Sequence, residues 1–207
     1  MRVIAYVDGF NLYHGLKEKG WRYYYWLNIQ KLITRYLIEG QTLIETKYFT
    51  SIIKNPPDKH NRQKTYLEAL RTLNNFKIYT GFFLEDEVVC SHCGHTHITY
   101  HEKKTDVNIA IELLSDAIDK KMDVALLITA DSDLVPAIEK AKKYNPDIKI
   151  LILFPPSRTS KALSKVVDHF EWISRNRLAK SQFSDMITKT GGYILRKPDE
   201  WKSRYNN

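Results

Sequence analysis

Cysteine is almost absent from this chain. Its 207 residues hold two, Cys90 and Cys93, and no Asn-x-Ser/Thr sequon occurs, which argues against a disulfide-stapled, glycosylated secreted protein. A reducing cytoplasm is the expected compartment. Long apolar runs are also missing. The stretches Val124–Ala130 and Ile150–Phe154 fall far short of the roughly 20 apolar residues that a membrane helix needs. The opening MRVIAYVDGF reaches Asp8 and Gly9 too early for a signal peptide and reads as a buried first strand, so no membrane span is expected. There is no Gly-rich phosphate loop, dinucleotide fingerprint, His-Glu-x-x-His helix or Ser-His-Asp order, which leaves ATPase, dehydrogenase and protease readings without support. Internal repeats and low-complexity tracts are lacking too.

What the chain does hold is a core and a positive surface. With 43% hydrophobic residues it can bury the interior of one main domain without staples. Its 32 Lys and Arg against 24 Asp and Glu leave a net charge of +8, so the average surface is expected to attract polyanions such as nucleic acid or anionic lipid.

Apolar periodicity predicts strands at Val3–Val7, Leu43–Ile53, Lys77–Leu84, Val124–Thr129 and Lys149–Phe154; the last two are near-continuous Val, Ile and Leu runs of the kind covered on both faces. Helical spacing is read at Ile29–Ile38 behind an Asn28 cap, and over about 61–73, 106–119, 134–144 and 160–170. The alternation is best satisfied by a three-layer, mainly parallel five-stranded α/β sheet with right-handed crossovers. The expected organisation is one domain over 1–174 and a basic tail over 175–207. The domain includes a Cys- and His-rich insertion at 88–101, and the tail sets eight Lys and Arg against three acids.

Ligands of such sheets sit at the carboxyl ends of the strands, where the winding direction reverses. Asp8 follows the first strand, and Asp131 and Asp133 follow the fourth. If those strands are neighbours, three carboxylates share one crevice. Asp106 opens the helix before the fourth strand, and its spacing to Ile109, Ala110 and Leu113 is read as turning it toward the packed side, within reach of the same crevice. Crowded carboxylates repel unless a cation neutralises them, and hard oxygen ligands suit Mg²⁺ or Mn²⁺. Such an ion activates water and stabilises phosphodiester oxyanions. The plainer alternative is that each Asp caps a helix or turn.

Three segments, Val7-Asp8-Gly9-Phe10-Asn11-Leu12, Lys104-Thr105-Asp106-Val107 and Thr129-Ala130-Asp131-Ser132-Asp133-Leu134, resemble the signature motifs of the NYN domain family, a branch of the PIN-like nucleases. The Cys-x-x-Cys insertion and the Arg196–Trp201 ending resemble a bacterial subgroup formerly described as a domain of unknown function. The resemblance implies a PIN-like sheet, dependence on Mg²⁺ or Mn²⁺, and cleavage of RNA. By position it implies metal-binding acids at Asp8, Asp106 and Asp131, an additional acid at Asp133, a substrate-positioning Asn11, and hydroxyls at Thr129 and Ser132 that orient a metal water or a phosphate. A non-catalytic module that binds RNA or protein on the same fold is the rival reading. A small-ester phosphatase is the other, but it predicts an Asp-x-Asp pair after strand one, where Gly9 and Phe10 follow Asp8.

Cys90-Ser91-His92-Cys93-Gly94 has the form of half a zinc knuckle, and Cys90, Cys93, His97 and His101 form a possible structural zinc set. A redox-silent thiol pair, with the histidines lining one face of a hairpin strand, is the alternative. The aromatic run Trp21–Trp26 suits either stacking of single-stranded bases or, more simply, a helix–sheet layer or a dimer face. Lys103, Lys104, Arg158 and Lys161 are the candidate phosphate contacts, with solvated charge as the plain alternative. His14, one turn past Asn11, reads as a surface residue. A homodimer is expected from the surplus of aromatics.

Overall fold

The computed structural model describes residues 1–89 and 91–202, and for 82–88 and 97–103 the backbone alone. The first strand, β1 (Arg2–Asp8), is the spine of the sheet. It pairs in parallel with β2 (Thr42–Ser51) on one side and with β5 (Val124–Ile128) on the other. Outward from β2 lie β3 (Phe76–Val89) and the antiparallel β4 (Thr96–Lys103); outward from β5 lie β6 (Lys149–Phe154) and β7 (His169–Trp172). Six strands are thus parallel, in the order β3-β2-β1-β5-β6-β7, and β4 closes one edge. The five predicted strands are all present.

The sixth parallel strand falls where a helix was expected. The 160–170 pattern divides into α6 (Lys161–Val166), capped by Ser160, and β7. Asp168 explains the change of state, because its carboxylate accepts from Ile150 N–H at 2.9 Å and its own N–H donates to the Ile150 carbonyl at 3.0 Å. That pair draws the chain onto β6 directly after the β-branched Val166 and Val167.

Two apolar layers sandwich the sheet. One packs α1 (Gly9–Glu18), α2 (Ile29–Ile33) and α3 (Pro57–Leu70) against Val3, Ala5, Val7, Leu126 and Ile128. The other packs α4 (Thr105–Ile118) and α5 (Val135–Tyr144) against Ile4, Tyr6, Ala125 and Leu127. Alternate residues of β1 and β5 therefore face opposite layers, as period-two side chains require. Asn28 does cap α2, accepting from Lys31 N–H at 2.9 Å. However, α2 stops at Ile33, because Arg35 and Tyr36 tighten into three-residue turns onto Leu32 and Ile33. The short α1 was not foreseen. Past residue 174 the chain forms α7 (Arg175–Ala179), the hairpin β8 (Met186–Thr188) and β9 (Ile194–Arg196), and a final 3₁₀ turn, Asp199–Trp201. Trp201 packs beside the fully buried Trp26, whose Nε1–H donates to the Ser184 carbonyl at 2.7 Å. Among the described residues no helix is long and apolar enough to cross a membrane.

Candidate active site

After β3 the chain returns to the far side of β1 to form β5, so the winding reverses between these two strands and opens a crevice at their carboxyl ends. Val7 pairs with Ile128, which sets Asp8 level with Thr129 on adjacent strands. Asp8 is only 4% exposed. Its Oδ1 accepts from Asn11 N–H at 2.8 Å, capping α1, and its Oδ2 accepts from the Thr129 hydroxyl at 3.1 Å. Thr129 Oγ1 in turn accepts from Asp131 N–H at 3.0 Å, so one buried hydroxyl ties the two acidic loops together. Asp131 Oδ1 accepts from Asp133 N–H at 3.0 Å, and Asp133 itself is exposed. Thr129 thus turns inward as a clamp, while Ser132 stays exposed on the turn.

Asp106 reaches the same edge by another route. Asp8 is level with Phe49, Ser51 with Gly81 and Phe82 with Lys103, so β4 delivers the chain to the carboxyl edge just before α4 begins. The inward position of the first turn belongs to Thr105, which shares the buried stripe with Ile109, Leu113, Asp116 and Ala117. Asp106 is exposed rather than packed, because it lies one position, about 100°, round the helix from that stripe. Lys104 precedes it at φ 77°, a left-handed conformation uncommon for a residue with a side chain. Among the described residues, no three His, Cys, Asp or Glu side chains come together closely enough to hold a metal ion.

The basic candidates divide. Lys104 and Lys161 are exposed, and Lys103 has no described side chain. Arg158 instead leans on α1, where it forms an ion pair with Glu18. His14 nearby is half-buried and its pKa is lowered by burial and by Arg158 and Lys17. The zinc set lies outside the described residues at Cys90 and at the side chains of His97 and His101; Cys93 is exposed.

Two features escaped the sequence reading. The first is the backbone approach at Gly9, where an added Cβ would lie 2.4 Å from the Tyr48 ring and 2.8 Å from the Phe49 carbonyl oxygen. Gly9 therefore lets α1 start flush against β2 and aims Asp8 into the crevice. Gly9→Ala should cost about 1–3 kcal/mol through overpacking, read as a lower urea midpoint; an unchanged midpoint would show that Tyr48 simply swings aside. The second is a charge network under α4. Buried Lys47 pairs with buried Asp116 and with Glu112 at 2.7 Å, while the Tyr6 hydroxyl donates to Asp116 at 2.7 Å. A Lys in the middle of a strand pattern was the available signal.

On the α1 face of the sheet lies a cavity of 330 Å³. Gly9 and Phe10, the two residues after Asp8, line it together with the ends of β2 and α3 and the Asp199–Trp201 turn.

Comparison with known proteins agrees with this architecture. A crystal structure of a protein of unknown function from Vibrio parahaemolyticus superposes with a TM-score of 0.59 at 19% identity, over 84% of this chain and 94% of that one. The 6-hydroxy-3-succinoylpyridine 3-monooxygenase of Pseudomonas putida is 25% identical over 240 aligned positions, spanning 97% of this chain and 75% of that protein. The family model of the NYN domain matches residues 2–174. With most of its length matched and a PIN-like α/β sheet around the acidic crevice, the chain belongs to the NYN domain family.

Proposed function

We propose that this protein is a metal-dependent endoribonuclease that hydrolyses phosphodiester bonds at the crevice between β1 and β5. The observation that carries the reading is the Asp8–Thr129–Asp131 linkage, which ties the Asp8 carboxylate to the Asp131 backbone, and so brings the two acidic loops together, at the point where the sheet reverses. The donor set fits a hard divalent cation: Mg²⁺ commonly uses one or two carboxylates and keeps several waters. Asn11 adds a further fit, since its N–H donates to Asp8 and its buried Oδ1 has no hydrogen-bond partner among the described residues.

In this reading Asp8 and Asp131 would hold Mg²⁺ or Mn²⁺, and Asn11 would position the substrate. The bound ion supplies charge that lowers the pKa of water and offsets the phosphate oxyanions. Thr129 keeps the two acids in register. Asp106 and Asp133, both exposed at the rim, complete the acidic shell, and Lys103, Lys104 and Lys161 approach the backbone phosphates. Attack of water forms one P–O bond as the bond to the leaving oxygen breaks. The water's proton passes to solvent and the leaving oxygen takes one back, so no oxidant or reductant is required.

The test is incubation of labelled single-stranded RNA and DNA with the protein and its Asp8→Asn variant, in Mn²⁺, Mg²⁺ or EDTA. RNA fragments that need both metal and Asp8 are the expected result. Binding without cleavage under every condition would replace the nuclease with a regulatory RNA-binding module. A second reading is favoured by the cavity on the α1 face and by the monooxygenase relative: a small-molecule enzyme acting on a heteroaromatic acid. Turnover of 6-hydroxy-3-succinoylpyridine, with dioxygen and a two-electron reductant supplied, would select it.

A further inference from the structure

The cavity on the α1 face is walled by rings. Phe10 and Tyr13 come from α1, Tyr25 from the preceding aromatic run, Tyr48 from β2, Tyr66 from α3 and Trp201 from the final turn. Tyr13 and Tyr25 lie 5.0 Å apart between centroids, and Tyr25 meets Trp201 edge-on at 5.6 Å. Tyr66 is anchored by donating to the Leu27 carbonyl at 2.9 Å, so that wall is fixed. At 330 Å³ the space lies at the small end of ligand pockets, which run from about 300 to 1,000 Å³. That is room for one ring system with its sugar, and not for a duplex.

Charge is distributed just as unevenly. Lys17, Arg22, Lys59 and Arg62 also line the cavity, with Glu200 as its one acidic residue among those described. Glu200 pairs with Arg62 at 2.7 Å, which leaves a net positive lining. A purely apolar ligand would not need this, and a bare inorganic anion would not need six rings. The combination matches a planar ring tethered to an anion.

We infer that this cavity receives one unstacked base of a single-stranded RNA, with its phosphate drawn by the basic lining and the next phosphate presented to Asp8. The inference rests on the nuclease reading for the identity of the polymer. Position supports it, because Gly9 and Phe10 belong both to the cavity wall and to the loop that carries Asp8. A base in the cavity lies against Gly9, the residue that follows Asp8. Duplex RNA cannot place a base there without unpairing, so single strands are selected.

Trp201 makes the cavity its own reporter. The protein's tryptophan fluorescence, with a Trp201→Phe variant to identify the Trp201 share, is followed while nucleoside monophosphates, the corresponding nucleosides, inorganic phosphate and pyridine-3-carboxylate are added, in EDTA. A nucleoside monophosphate should bind at least 10-fold more tightly than the nucleoside or phosphate alone. Lys59→Ala, at an exposed position, should weaken it several-fold, and Tyr13→Leu should weaken nucleotide and nucleoside alike. Equal binding of phosphate and nucleotide would overturn the ring site; tighter binding of pyridine-3-carboxylate than of any nucleotide would assign the cavity to a small heteroaromatic acid. The same variants are then assayed for RNA cleavage in Mn²⁺. Cleavage by wild type with no loss in Tyr13→Leu or Lys59→Ala would defeat the base pocket and leave the nuclease standing. Nucleotide binding without cleavage would do the reverse.

Discussion

Asp116→Ala is expected to lower the melting temperature by on the order of 10 °C, the largest stability effect of any single substitution considered. The reason is what the alanine would leave behind. Lys47 is 2% exposed, and its ammonium is neutralised chiefly by Asp116 and Glu112. Removing one partner of a buried pair costs about 3–5 kcal/mol, because the remaining charge is stranded. In a chain of this length each kcal/mol moves the midpoint by roughly 2–4 °C. The Tyr6 hydroxyl would lose its carboxylate acceptor as well, keeping only the weaker Met122 sulfur at 3.2 Å. Pairing Asp116→Leu with Lys47→Met should recover more than half of the loss, since it removes both fully buried charges together and leaves Glu112, which is partly exposed and still accepts from the Tyr79 hydroxyl. A single-variant loss below about 1 kcal/mol would mean that water reaches the Lys47 amine.

The same network sets a pH window. Burial pushes the Asp116 carboxyl up, but hydrogen bonds from Lys47, Tyr6 and Lys121 pull harder, and the net shift is downward. A lowered folded pKa gives stability that is fully present above the unfolded value of about 3.9. It is lost as pH falls through the folded value. For Lys47, burial pulls down while Asp116 and Glu112 raise the pKa further, so its share is present below the unfolded value of about 10.4 and is lost at higher pH. Stability from this pair should therefore be level between about pH 4 and 10 and fall outside it. In Asp116→Ala the acid limb of the denaturation curve should flatten.

Asp8→Asn should reduce RNA cleavage on the order of 10³-fold, about 4 kcal/mol of transition-state stabilisation, while leaving the fold nearly intact. An asparagine keeps one acceptor for Asn11 N–H. Its amide would face Thr129 Oγ1, which can accept where it now donates. The structural cost is then about one hydrogen bond, roughly 1 kcal/mol. What is lost is the negative charge that would hold the cation. Calorimetry with Mn²⁺ separates the two effects: the wild type should melt higher when the ion is added, and the variant should not. Equal cleavage by the variant, or cleavage that persists in EDTA, would remove Asp8 from the chemistry.

Much of the architecture was legible before folding, for a definite reason. β5 and β6 are buried on both faces, so their Val, Ile and Leu runs had one reading, and Asp8, Asp131 and Asp133 had to follow their strands. Local chemistry also sufficed for the Asn28 cap, whose side chain accepts from the Lys31 amide three residues on. The chain around Asp168 was read as helix because its apolar spacing is ambiguous, and only pairing with Ile150 across the sheet selects a strand. Asp106 shows the same limit. Its neighbours fixed which helix it opens, but a single step of helical phase separates the packed face from the rim, and Thr105 took the packed place.

What the sequence by itself determined is therefore the five central strands and their order along the chain, the strand-end position of three aspartates and the motif set of the family. These depend on period, caps and short-range spacing. The tertiary structure decided that β5 returns to lie beside β1, which is what joins Asp8 to Asp131 through Thr129. It also decided that Lys47 meets Asp116 across 69 residues, and that Trp201 folds back to finish a cavity begun at Gly9. Contacts between distant segments follow from which buried surfaces fit one another, and that complementarity is carried by no local stretch of the chain.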